Sequence, residues 1–188
     1  SNLFKFDDSF FDKKINLGLD LQGGSYLLLE IDNTPVIDQK LQNLTISIKN
    51  YFKDKNIRIK NIKLKDQTLS FSVDEKFKIE VLSVFQDEES ELNPYYERFK
   101  SHQLDINEDG NLFKLNFSRQ GMVELKTSSQ DQALEIVRRR IDEIGTNEPN
   151  ILKRGNDRIL VELPGLDDPM RIKSLLGKTA NLTFRFIT

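Results

Sequence analysis

Apolar residues recur along this chain with two different periods. Residues 26–31, YLLLEI, form a short apolar run between Gly-Gly and Asp-Asn-Thr-Pro, which suits a strand buried on both faces, although its leucines alone would also suit a helix. Ile37, Leu41, Leu44, Ile48 and Tyr51 are spaced by threes and fours, the stripe of an amphipathic helix. Thr34 and Pro35 supply its N-cap and first helical residue. Ile57, Ile59, Ile62 and Leu64 predict a strand with a slip in its alternation, followed by a turn at 65–67. Leu69, Phe71 and Val73 then alternate cleanly. Asp74 is a candidate cap for a second helix, whose Phe77, Val81, Val84 and Phe85 share a face. The acidic stretch 87–91 and Pro94 break the pattern and read as a solvated loop.

Beyond the loop, Leu104 and Ile106 lead to a hairpin turn at Asp109-Gly110 and a strand over 112–117. A helix then runs to Gly145, with Leu134, Val137, Ile141 and Ile144 inward. Its start is open, because Ser128-Ser129 either interrupts it or caps its second part. A strand over 149–153, a turn at 154–157 and a strand over 159–163 follow. Asp168-Pro169 opens a short helix that Gly177 closes, and Leu182, Phe184 and Phe186 share one face of a last strand. Both halves thus read strand–helix–strand–strand–helix–strand. That order predicts an α+β fold of two consecutive βαββαβ ferredoxin-like units, or one shared sheet, with helices on one face of mainly antiparallel sheets. The halves are 17–106 and 107–188, preceded by the segment 1–16. A continuous sheet, or an exchange of the two first strands, is left open.

The composition narrows the classes of function. With 188 residues, 37% of them hydrophobic, the chain can form one domain or two small ones. Its 28 basic and 30 acidic residues leave a net charge of −2, too weak a field for a nucleic-acid partner held through phosphates. Zero cysteines exclude disulfides and thiolate metal sites, and a single histidine, His102, excludes a histidine-rich zinc site in one chain. His102 reads as a surface residue beside an acidic, turn-rich region. No apolar run reaches the roughly 18–20 residues that span a bilayer. No signal peptide is read either, and Ser1-Asn2 looks like a cloning remnant. Phe4, Phe6, Phe10 and Phe11 read as a tail packed on its own domain, the alternative being a juxtamembrane segment.

Residues 18–25, GLDLQGGS, place Gly18, Gly23 and Ser25 in the register of a phosphate-binding loop. Gly24 occupies the lysine position, however, and a strand follows where a helix is needed. The glycines are better explained as a bend that admits a buried strand, with Asp20 accepting hydrogen bonds from nearby backbone N–H groups. No catalytic, metal or cofactor constellation emerges elsewhere. Asp168 before Pro169 is explained as a helix cap. Arg138, Arg139 and Arg140 span about 200° of helix and form no single patch, so at least one should pair with Glu135, with Asp142 or with the other half.

The stretch LGLDLQGGSYLLLEID strongly resembles the motif that the SecD/SecF family of bacterial protein translocase subunits carries just outside its first transmembrane helix. A second stretch, ALEIVRRRIDEIGTNEPNILKRGNDRILVELPGLDDPMRIKSLLGKTANLTFRFI, is similar to the same family. It repeats that family's series of Arg-rich helix end, glycine, Glu-Pro, hairpin, VELPG and LLGKTA leading to L-x-F. The motif positions are Gly18, Asp20, Gly23 and Gly24 in the first stretch. In the second they are Arg138, Arg139, Arg140, Gly145, Glu148, Pro149, Asp157, Arg158, Pro164 and Gly165. The matches cover 17–32 and about 133–187, while 35–117 matches only in its pattern of elements. Gln22 stands where arginine is common in the family.

The resemblance implies a first periplasmic domain without its mobile head subdomain, with no cofactor and no enzymatic role. It implies an inner-membrane protein, anchored by helices outside this sequence, with this portion on the periplasmic side. SecF, the SecYEG channel and a translocating unfolded polypeptide are the implied partners. A sheet edge around 179–187 is a candidate for weak peptide binding, since unpaired N–H and C=O groups accept an extended chain of almost any sequence. Two other readings are weighed. An RNA-recognition module would need stacking aromatics on a basic face, which neither NILKRG nor LFKLNF supplies. A ferredoxin-like small-ligand-binding regulatory domain shares the element order.

Overall fold

The computed structural model describes residues 19–20, 24–145, 148–164, 174, 176 and 184–186. Gly18, Gly23, Gly165 and the expected helix start at Asp168-Pro169 lie outside them. The strands are β1 (Leu19–Asp20), β2 (Gly24–Ile31), β3 (Lys60–Lys65), β4 (Thr68–Ser72), β5 (Tyr95–Tyr96), β6 (Ser101–His102), β7 (Leu104–Asp109), β8 (Leu112–Phe117), β9 (Asn150–Arg154), β10 (Arg158–Pro164) and β11 (Phe184–Phe186). The helices are α1 (Thr34–Asp54), α2 (Lys78–Gln86) and α3 (Arg119–Ile144), and Ser174 and Leu176 are also helical. The α+β class read from the sequence holds, and every strand pair is antiparallel.

The pairing follows the exchange that the sequence left open. β2 does not join β3 and β4, which follow it in the chain, but lies in a sheet ordered β1-β2-β10-β9 to which β11 adds along β2. β8 in turn lies in the sheet β3-β4-β8-β7. Each sheet keeps the ferredoxin-like arrangement, but the two first strands have changed places. The described residues accordingly fall into two compact units, those within 1–33 and 126–188, and those within 34–125.

In the first unit, β10 pairs with β2 from Arg158↔Glu30 to Pro164↔Gly24. The other edge of β2 is shared, by β1 at Gly24 and Ser25 and by β11 at Leu29, Glu30 and Ile31. Leu27, Leu29 and Ile31 are buried with Ile159, Val161, Leu163, Ala133, Val137, Ile141 and Leu176. Tyr26, Leu28 and Glu30 are only half-buried, so β2 buries one face fully and not both. Burying each aliphatic side chain contributes about 1.5–3 kcal/mol, against about 1 kcal/mol net for a backbone hydrogen bond. The inward set therefore fixes the register, because a slip of one residue would turn it outward.

The unit 34–125 packs α1 and α2 with its own sheet around Phe52, Phe71, Phe85 and Phe113, all fully buried. Phe71 and Phe113 stack at 5.4 Å between ring centroids. The expected slip in the first strand is present, as the register shifts between Lys60 and Lys63 with Asn61 at φ 53°. Asp66 and Gln67 both take positive φ, the two-residue turn that matches strand twist. Asp74 does not cap a helix with its side chain, for its carboxylate is bonded to Lys60 instead.

Ser128-Ser129 neither interrupts nor caps α3, which runs unbroken from Arg119 to Ile144. Its N-cap is Ser118, whose Oγ accepts from the Gly121 N–H at 3.0 Å and donates to the His102 carbonyl at 2.7 Å. Gly145 ends the helix at φ 70°, its N–H donating to the Asp142 carbonyl at 3.0 Å.

Candidate functional site

Every motif position that the structure describes lies in the unit built around β2. Gly24 stands between two of them, opposite Asp20 on one edge and Pro164 on the other. Residues 26–31 are strand, as expected, and not the helix that a phosphate-binding loop would open. At the far end of β2 the Ile31 N–H donates to the Asp157 carbonyl at 2.7 Å. The two stretches singled out in the sequence, far apart along the chain, thus meet along the whole length of one strand.

The turn between β9 and β10 is built from inside. Gly155 takes φ 61°, and the Asp157 carboxylate lies 3.6 Å from Arg158 Nε. Buried Gln130 reaches from α3 and donates through Nε2 to the main-chain oxygens of Gly155 and Arg158. Lys153 pairs with Asp131 of the same helix. Asn150 Nδ2 donates across the β9–β10 pair to Glu162 Oε2 at 2.8 Å. Sequence reasoning missed Gln130. Its signal was a polar residue on the stripe of Ala133, Val137 and Ile141, where only an inward partner makes an amide tolerable.

The arginines form separate local pairs and no common patch. Arg138 donates to Glu135 at 3.3 Å, as expected, and Arg140 lies 3.7 Å from Glu143. Arg139 is exposed and forms no ion pair among the described residues. Glu148 is exposed with φ 49°, and Pro149 is half-buried. His102, read as a surface residue, is half-buried in the other unit: Nδ1 faces the Asn93 carbonyl at 3.0 Å and Nε2 the Gln86 carbonyl at 3.2 Å.

Among the described residues ionisation is displaced at four groups, all in the 34–125 unit. A hydrogen bond to Lys60 holds the Asp74 carboxyl below its ordinary value, and one to Glu97 raises Lys100. Burial pushes Tyr95 and Tyr96 up. Among the described residues no three His, Asp or Glu side chains are grouped to hold a metal ion. No described helix is long and apolar enough to cross a membrane.

Known proteins match the chain at both motif stretches. The family model "Protein translocase subunit SecDF, P1 domain, N-terminal" matches residues 130–188, and the SecD/SecF GG motif matches 9–35. Protein translocase subunit SecD of Rickettsia bellii is 33% identical over 173 residues, 92% of this chain and 32% of that protein. The SecD subunits of Acetobacter pasteurianus and Syntrophobacter fumaroxidans are each 34% identical, over 177 and 179 residues. These alignments cover 93% of this chain and 33% and 32% of the respective relatives. The chain therefore spans about a third of the length of the curated relatives it matches.

Proposed function

We infer that this chain, a SecD/SecF-family sequence by the matches above, forms the base of the first periplasmic domain of a protein-export subunit. The full-length protein sits in the inner membrane, with this portion on the periplasmic side. It assists the proton-gradient-driven translocation of secreted polypeptides, working with SecF and SecYEG. The base itself is a non-catalytic scaffold.

One observation carries this reading. β2, from the stretch matched by the GG motif, is held over seven residue pairs by β10, from the stretch matched by the P1 model. β1 and β11 both lean on the opposite edge of β2, one at each end. Residues 19–20 and 184–186, from opposite ends of the described chain, are therefore tied to the same strand. A displacement on one side reaches the other through a sheet whose register is locked by its buried face. That is the mechanical property a coupling base needs, and it asks no side chain to react.

Pulse-chase labelling of a secreted protein, in cells depleted of the full-length protein, tests the role. Slower clearance of the precursor is expected, and unchanged export kinetics would contradict it. Restoring the full-length protein with Arg138→Ala or Asp157→Ala separates scaffold from catalyst. A catalytic acid or base would lose on the order of 10²–10⁴-fold, whereas a scaffold keeps nearly full export at matched protein levels.

A further inference from the structure

Seven cations and a single carboxylate, Asp54, occupy residues 49–65 of a chain whose net charge is −2. Four of the seven are accounted for locally. Lys60 pairs with Asp74, and Lys55 lies over the Tyr51 ring, 5.2 Å from its centroid. Lys63 and Lys65 point outward from β3, an edge strand, where lysine discourages pairing with another chain. The other three, Lys49, Lys53 and Arg58, line one open cavity of about 390 Å³ together with Asn56, Ile57 and Ile59.

Nothing described answers these three charges. None forms an ion pair among the described residues; Arg58 only adds to the field that keeps Asp74 ionised. Nor does the end of α1 need them. Asn56 takes φ 58°, its N–H donates to the Lys53 carbonyl at 3.0 Å, and the Ile57 N–H donates to the Phe52 carbonyl at 2.8 Å. That closure satisfies the last carbonyls from the backbone, and the field of the helix end alone calls for only one cation in its last turn. Three cations that line one concavity, with no ion-pair partner among the described residues, have the charge to receive an anion.

We infer that this groove binds a phosphate group, either free or on an organic carrier such as a phospholipid. Arg58 offers a planar fork for two phosphate oxygens, and Lys49 and Lys53 offer mobile point charges around it. The Asn56 amide is a further donor, and Ile57 and Ile59 give the carrier an apolar wall. This site is built only from residues of the 34–125 unit, whereas the export role rests on the β2 sheet of the other unit, so either can fail without the other.

The test uses the ¹⁵N-labelled 188-residue chain and two probes at low salt: inorganic phosphate, and phosphatidylcholine vesicles with or without phosphatidylglycerol. Saturable amide shifts confined to 49–59 with inorganic phosphate support a free phosphate ligand. Salt-sensitive co-sedimentation only with phosphatidylglycerol supports a lipid headgroup. In either case Lys53→Ala with Arg58→Ala should weaken binding about thirtyfold, at roughly one kcal/mol per cation. Lys63→Ala with Lys65→Ala should leave it unchanged. Unaltered amide positions outside 49–59 show that the first pair still folds. Binding of neither probe, or equal weakening by both pairs, overturns the site in favour of diffuse attraction to a basic segment.

Discussion

Gln130 and Arg158 are joined by the hydrogen bond that closes the β9–β10 turn, Nε2 donating to the main-chain oxygen at 2.7 Å. The same nitrogen donates to Gly155 at 3.1 Å, and the side chain is only 2% exposed. Replacing Gln130 with leucine removes the donor of both bonds and leaves the two carbonyls facing an apolar side chain. A loss of about 1–3 kcal/mol is expected for the unit built around β2. Urea unfolding measures it, with exposed Gln132→Leu as a control expected to stay within about 0.5 kcal/mol.

Gly121 sits where α3 passes the backbone of residue 103. A Cβ there would lie 2.1 Å from the Gln103 carbonyl oxygen and 2.9 Å from its carbon. Helix propensity alone favours Gly121→Ala by about 1 kcal/mol. The overlap is with main chain, which cannot swing aside, and overpacking of this kind costs about 1–3 kcal/mol. Net destabilisation in thermal or urea unfolding is therefore expected, and a stabilised variant would show that the two segments are not in contact.

The Lys60–Asp74 bond makes stability depend on pH at the acid end. Asp74 is held below its ordinary value chiefly by the hydrogen bond from Lys60. A carboxyl lowered in the folded state stabilises fully above its unfolded pKa of about 3.9 and loses that contribution as pH falls through the folded value. Asp74→Asn should therefore lower the melting temperature at neutral pH and flatten its decline below about pH 4. The effect is small, since both groups are largely exposed. Parallel melting curves across the acid range would contradict it.

Much of this fold is legible from residue spacing, because spacing reports local geometry. The stripe of α1, the turns at Asp66-Gln67 and Asp109-Gly110, and the stop at Gly145 all lie where pattern and turn chemistry put them. The choice of sheet for β2 was not legible. Both β2 and β8 are short strands after a turn, and either satisfies the local pattern of a first strand. What separates them is the fit of Leu27, Leu29 and Ile31 against Ile159, Val161 and Leu163, a complementarity between segments over a hundred residues apart that no periodicity records.

Side-chain roles followed the same division. Asp74 has the composition of a cap but finds a lysine fourteen residues earlier. Ser128-Ser129 looks like a break until Ser129 and Gln130 prove to face inward from an unbroken helix. Of the motif positions, Gly145 explains itself by positive φ, as the turn residue Gly155 also does, whereas Asp157 contributes to the β2 contact through a carbonyl that any residue would supply.

The tie between β2 and β10 is tested most directly by native-state amide hydrogen exchange across the 188-residue chain. The Leu29 and Ile31 amides should exchange as slowly as those inside β10, at the rate set by global opening of their unit. Rapid exchange at Leu29 and Ile31, with β10 still protected, would mean that β2 is not the strand holding the two family segments together.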